Sequence, residues 1–203
     1  LASRLGGQSQ ARVAAMMLLT LRGTPTLYYG DELGLEDGII PPEKIQDPQG
    51  VNLGAERTRD VCRTPMQWDA GPDAGFSAVE PWLPVSADHE TRNVAAQSDD
   101  PASVLNLYRR LLRYRRGSPA LYRGDYRSLD VGDDDCFVYL RTAGIAGNER
   151  RLIALNFSGD QRRISVPGED AGQIVISTHM DREEKASLSK LELGPHEGVI
   201  IEL

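Results

Sequence analysis

The 203-residue sequence is poor in residues that staple or metallate a fold. It has two cysteines, Cys62 and Cys136, and three histidines, His89, His179 and His196. The cysteines stand far apart, which excludes a disulfide framework and metal-ligand spacing and suits a reducing, cytoplasmic setting. The scattered histidines add no metal cluster. Long apolar runs are also missing. The longest, Val13 to Leu19, is too short to span a bilayer, so no membrane partner is expected. Basic charge is in deficit, 23 Lys and Arg against 30 Asp and Glu, for a net charge of −7. A chain of that balance lacks the footprint of a nucleic-acid binder. There is no Gly-rich phosphate loop, Ser-His-Asp set or metal motif, so no cofactor and no metal site is expected. Neither an initiating Met nor a signal peptide opens the chain, and Leu1 to Gly7 reads as the middle of a longer protein.

What is present is globular. Hydrophobic residues make up 40% and charged residues 26%, enough for one large domain or two small ones. The spacing predicts a first helix over Ser9–Arg22, with Ser9 as N-cap and Gly23 past its end. It is apolar on nearly every face, the mark of a buried helix. Thr24 to Tyr29 then reads as a short strand closed by Gly30, and helix followed by buried strand is an α/β unit. A second helix is expected over Pro101–Arg116, with Asp100 as N-cap and Pro101 at the first position. Val104, Leu107, Tyr108, Leu111 and Leu112 form its apolar stripe. Its five arginines read as a solvated face with snorkelling stems.

Between these lies Asp31–Asp100, without sustained periodicity and holding seven prolines. It also holds Trp68, Trp82, Phe76 and Met66, in which disordered segments are poor. An ordered loop region with short helical turns is expected. From Leu121 onward, short apolar or alternating runs at Cys136–Arg141, Arg151–Phe157, Arg162–Val166, Gln173–Thr178, Leu188–Leu193 and Gly198–Leu203 are separated by turn residues. They predict an antiparallel β-sandwich of about six to eight strands.

The loop is the one candidate region for chemistry. It follows a strand, where α/β folds carry their sites. It concentrates Asp31, Glu32, Asp60, Asp69, Arg57, Arg59, Arg63 and both indoles. Carboxylate, arginine and indole together suit a sugar, since planar groups pair with adjacent hydroxyls and indole faces stack on ring C–H groups. The same residues also suit an internal ion-pair network that pins a long loop, the better reading from composition alone.

Longer strings are more specific. Gly23-Thr24-Pro25-Thr26-Leu27-Tyr28-Tyr29-Gly30-Asp31-Glu32-Leu33-Gly34 resembles the eighth barrel strand of the alpha-amylase family of glycoside hydrolases, family thirteen. Arg59-Asp60-Val61-Cys62-Arg63-Thr64-Pro65-Met66-Gln67-Trp68-Asp69 is similar to the loop signature of its alpha-glucosidase branch, which includes oligo-1,6-glucosidases. Gly75-Phe76-Ser77 and Pro81-Trp82-Leu83-Pro84-Val85 resemble the continuation of that loop.

The resemblance implies an α/β plus all-β chain, the C-terminal fragment of a (β/α)8 TIM barrel followed by an antiparallel β-sandwich domain. Residues 1–119 would be the end of the barrel (helix seven, strand eight, the substrate-pocket loop and helix eight), and 120–203 the sandwich. It implies part of a retaining alpha-glucosidase acting at the non-reducing end of short α-linked gluco-oligosaccharides. The nucleophile and acid would lie on earlier strands, so this chain holds no catalytic residue, and its partners would be the oligosaccharide and the remainder of the barrel. By the same resemblance Arg63 helps hold the terminal glucose, for which a guanidinium fork suits better than lysine. Arg59 and Asp60 are secondary substrate-binding candidates. Asp31 and Glu32 are expected to be structural, and Trp68 to be a packing anchor. Two alternatives stand: glucosyl transfer of the trehalose synthase or sucrose isomerase type, and a non-catalytic binding or assembly module. Without the remaining barrel, Leu27, Met16 and Leu18 are expected to face water over a broad patch or to be covered by another chain.

Overall fold

Val13, Met16 and Leu19 recur at helical spacing, and in the computed structural model, which describes residues 1–144 and 148–203, all three are fully buried. The chain divides into two compact units interleaved in sequence: Leu1–Gly6 with Leu27–Asn106, and Gly7–Thr26 with Leu107–Leu203.

The second unit is built on strands. Its helices are α1 (Gln8–Thr20), α2 (Val104–Gly117, entering from the first unit) and α3 (Pro119–Arg123). Its strands are β1 (Asp125–Leu129), β2 (Cys136–Ala143), β3 (Glu149–Asn156), β4 (Arg162–Ile164), β5 (Ala171–Ser177), β6 (Lys185–Ser187), β7 (Leu191–Leu193) and β8 (Gly198–Glu202). Six form one antiparallel sheet in the order β1-β2-β3-β8-β5-β6, and β4 pairs with β7. Because side chains alternate across a strand, register sorts them into two faces. Val138 and Leu140 lie opposite Ala154 and Leu152, which lie opposite Val199 and Ile201. These join Ile164, Leu191 and Leu193 of the small sheet in one buried cluster. Each such buried Leu or Ile contributes about 1.5–3 kcal/mol. On β3 and β8 the sheet also meets α1, and the Thr20 hydroxyl lies 2.6 Å from that of Tyr139. Arg141 is fully buried yet satisfied, its guanidinium donating to the carbonyls of Thr20, Gly124 and Asp125.

Several expectations are corrected here. The first helix is not apolar-buried all round: Ala14, Met17 and Leu18 are half-buried, because only one face meets the sheet. Met16, expected to face water, packs inward, whereas Leu27 is exposed. Thr24 to Tyr29 pairs with no strand among the described residues. Extended backbone becomes a strand only where a neighbour supplies the ladder. The second helix begins at Val104, not Pro101. Asp100 Oδ1 instead accepts from the Ala102 amide, and Ser103 Oγ caps the helix by accepting from the Asn106 amide. The first half of Leu188–Leu193 is a 3₁₀ turn.

The first unit holds the ordered loop. Short helical turns stud it at Asp31–Leu33, Pro42–Lys44, Pro48–Leu53, Ala55–Arg57, Asp60–Cys62, Pro72–Gly75 and Val94–Asp99. Its buried apolar side chains are Ala2, Leu33, Pro65, Ala74, Leu83, Val104 and Leu105, beside six buried polar ones, Asp47, Asp60, Thr64, Gln67, Asn93 and Ser103. Hydrogen bonds therefore carry the share of order that an apolar core carries in the other unit. No helix of the described residues is long and apolar enough to cross a membrane.

Candidate functional site

The 3₁₀ turn Asp60–Cys62 fixes the site. Asp60 is 2% exposed, and its Oδ2 accepts from the amides of Gln46 at 2.7 Å and Asp47 at 2.8 Å. This clamps the distant 46–47 segment onto the turn. Asp47 is also buried and answers Arg59: Arg59 Nη2 donates to Oδ1 at 2.7 Å, and the Arg59 amide and Nε donate to Oδ2. The hydrogen bonds from Arg59 hold the Asp47 carboxyl well below the usual range. Burial pushes the Asp60 carboxyl up, but hydrogen bonding to the Asp47 and Gln46 amides and the Thr58 side chain together outweighs it and the net shift is downward. Gly50 lets this corner close, since a Cβ there would meet Thr58 Cβ at 2.7 Å.

Arg63 follows the turn, its amide donating to the Asp60 carbonyl at 2.9 Å. Its guanidinium sits 3.6 Å from Asp47 and 3.8 Å from Asp60, and the side chain is 39% exposed. Among the described residues it donates no hydrogen bond, so two carboxylates hold it in place while its N–H donors stay available. Beside it, Gly38 donates to the Val61 carbonyl at 2.7 Å and leaves room for Thr64, whose Cγ2 would lie 2.4 Å from any Cβ. The Tyr29 hydroxyl donates to the Thr64 carbonyl, and burial pushes its pKa up to about 12.

From Thr64 to Trp68 the chain is neither helix nor strand. Gln67 is the true packing anchor, fully buried and donating to Asp88 Oδ1. Trp68, expected in that role, faces the other way and is 50% exposed. Its backbone is tied to Ala74 and Ala95 while its indole is not. Tyr29, Glu32, Arg63, Trp68, Phe76 and Trp82 line a cavity of about 370 Å³. One arginine fork, one carboxylate and four aromatic rings can grip adjacent hydroxyls and stack on the apolar side of a sugar ring. Glu32 is the one carboxylate in this lining, so the cavity does not itself offer the carboxyl pair of glycoside cleavage.

Of the three sequence candidates, only Arg63 lines the cavity. Arg59 and Asp60 form with Asp47 the ion-pair network beneath it. Asp47 was invisible to sequence reasoning, since nothing in its own neighbourhood marks a residue whose partners lie twelve and more positions on. Elsewhere, in the second unit, His179, Asp181 and Glu197 bring ligand atoms within 4.8 Å of one another, a grouping not foreseen from the sequence. Glu197, however, is engaged by Ser177, Arg182 and the Gly194 amide, and the guanidinium beside it disfavours a cation.

Comparison with known proteins places these features in a wider set. The family described as alpha amylase, catalytic domain, matches residues 1–124. The chain is 39% identical over 182 residues to a probable alpha-glucosidase of Rhizobium meliloti (strain 1021), covering 87% of this chain and 32% of that protein. It is 31% identical over 228 residues to the oligo-1,6-glucosidase of Parageobacillus thermoglucosidasius, covering 99% and 40%. Among solved structures, the alpha-glucosyl transfer enzyme XgtA superposes with a TM-score of 0.85 at 33% identity, over 99% of this chain and 37% of that one. The chain thus spans about a third to two-fifths of the length of the proteins it matches.

Proposed function

The chain belongs to the alpha-amylase family of glycoside hydrolases, and from that premise we propose that it is the C-terminal part of a retaining alpha-glucosidase acting on short α-linked gluco-oligosaccharides. Residues 1–119 serve as the end of its barrel and 120–203 as its C-terminal sandwich. The observation that carries this reading is Arg63: a guanidinium held by two buried carboxylates, with unspent donors, at the wall of an aromatic cavity. It grips the hydroxyls of the terminal glucose, which suits cleavage at the non-reducing end. Asp60 and Arg59 act one step behind, by fixing Asp47. The nucleophile and the acid come from parts of the barrel outside this sequence.

The test is enzymatic. The purified 203-residue chain releases no p-nitrophenol from p-nitrophenyl α-glucoside, whereas a longer protein that contains it releases glucose from isomaltose. Hydrolysis by the chain alone overturns the reading. A second reading, glucosyl transfer, is favoured by the likeness to XgtA; in that case the longer protein forms a new disaccharide from sucrose in place of free glucose.

A further inference from the structure

Arginines gather around two adjoining hollows of the second unit. The larger, about 510 Å³, is lined by Arg109, Arg113, Arg115 and Arg116, with Pro25 and Leu112 as its apolar lining. The smaller, about 440 Å³, shares Pro25, Arg115 and Tyr122 with it and adds Arg22 and Arg123. Six arginines thus face the pair, and among the described residues no aspartate or glutamate lines either. In a chain of net charge −7 such a patch is not a composition effect. Arg115 is buried and spends its guanidinium on the carbonyls of Leu19, Leu21 and Gly23, which makes it a fixed positive wall. Arg109, Arg113 and Arg116 are exposed and follow the i, i+4, i+7 spacing of one helix face. They form a row of about 10 Å along α2. Cationic side chains ranged along one face raise the local positive potential, which favours an anion.

We infer that this groove binds an oligophosphate, an anion carrying two or more linked phosphate groups. The guanidinium fork matches phosphate oxygens in pairs, and a row of this length engages several charges where a single phosphate reaches one or two arginines. Tyr122, 69% exposed at both hollows, offers a ring face beside the charges. The groove is separate from the Arg63 cavity, and the inference is independent of the sugar chemistry proposed above.

The test is calorimetric titration of the chain with tripolyphosphate, orthophosphate and ATP. Tripolyphosphate should bind at low salt, weaken steeply at about 0.3 M salt, and exceed orthophosphate by about tenfold or more. The pair Arg113→Gln and Arg116→Gln, its fold checked by circular dichroism, should lose about tenfold or more. Arg113→Lys with Arg116→Lys should retain part of the binding, and Arg163→Gln, whose partner is the exposed Glu192, should leave it unchanged. ATP binding tighter than tripolyphosphate, with the excess lost in Tyr122→Ala, identifies a nucleotide as the source of the phosphates; equal affinity identifies an inorganic one. No tripolyphosphate binding, or equal binding by the folded glutamine variant, overturns the inference.

Discussion

Arg63 and Arg59 are four residues apart and chemically identical, yet the structure gives them different work. Arg59 is fully engaged with Asp47, while Arg63 is held only at ion-pair distance by Asp47 and Asp60. The anchoring depends on both carboxylates staying ionised. Their pKa values lie below the ordinary 3.8, so the stability they contribute is fully present above about pH 4 and is lost as pH falls through the lowered folded values. An NMR titration of the side-chain carboxyls should give both midpoints below the ordinary aspartate value of 3.8. Loss of the Gln46 and Asp47 amide shifts should accompany protonation. A midpoint at the ordinary value would remove the basis for the clamp. At this scale the site was partly legible. The motif around Arg63 pointed to a residue that lines the cavity, but the buried neighbour is Gln67 where Trp68 was expected, because which of two neighbours points inward depends on contacts with Asp88, Ala74 and Val94.

Helix α2 shows how elements end where hydrogen bonds, not propensity, decide. Asp100 and Pro101 carry the usual signature of a helix start, but Ser103 supplies the cap. Its Oγ accepts from the Asn106 amide and donates to the Gln97 carbonyl. Ser103→Ala should cost about 1 kcal/mol, lowering the thermal midpoint by about 2–4 °C, whereas Asp100→Ala should cost less. Equal losses would contradict the assignment. The strands with continuous buried runs, Cys136–Ala143 and Glu149–Asn156, were readable because their inner residues, Val138 to Leu140 and Leu152 to Leu155, are mostly apolar. Asp125–Leu129 was not, since four of its five residues are exposed at the sheet edge. Thr24 to Tyr29 failed the other way. Its sequence is strand-like, but a strand is a property of two segments, and no partner for it lies among the described residues.

At the scale of the whole molecule, the two units rest on different physics. One rests on an apolar cluster between sheets, the other on buried polar contacts around Asp47, Asp60 and Gln67. The chain covers 37% of XgtA and 40% of the Parageobacillus oligo-1,6-glucosidase, and the role proposed for it is substrate grip without bond cleavage. Binding should therefore be measurable where turnover is not. The most direct measurement is an NMR titration with isomaltose that follows the indole N–H signals of Trp68 and Trp82 in the chain and in its Arg63→Ala variant. Both indoles should give saturable shifts in the chain. In the variant they should weaken by roughly tenfold or more, in line with about 1.5–3 kcal/mol for hydrogen bonds from a charged donor. Indoles that do not move, or that move equally with and without the Arg63 guanidinium, would contradict it.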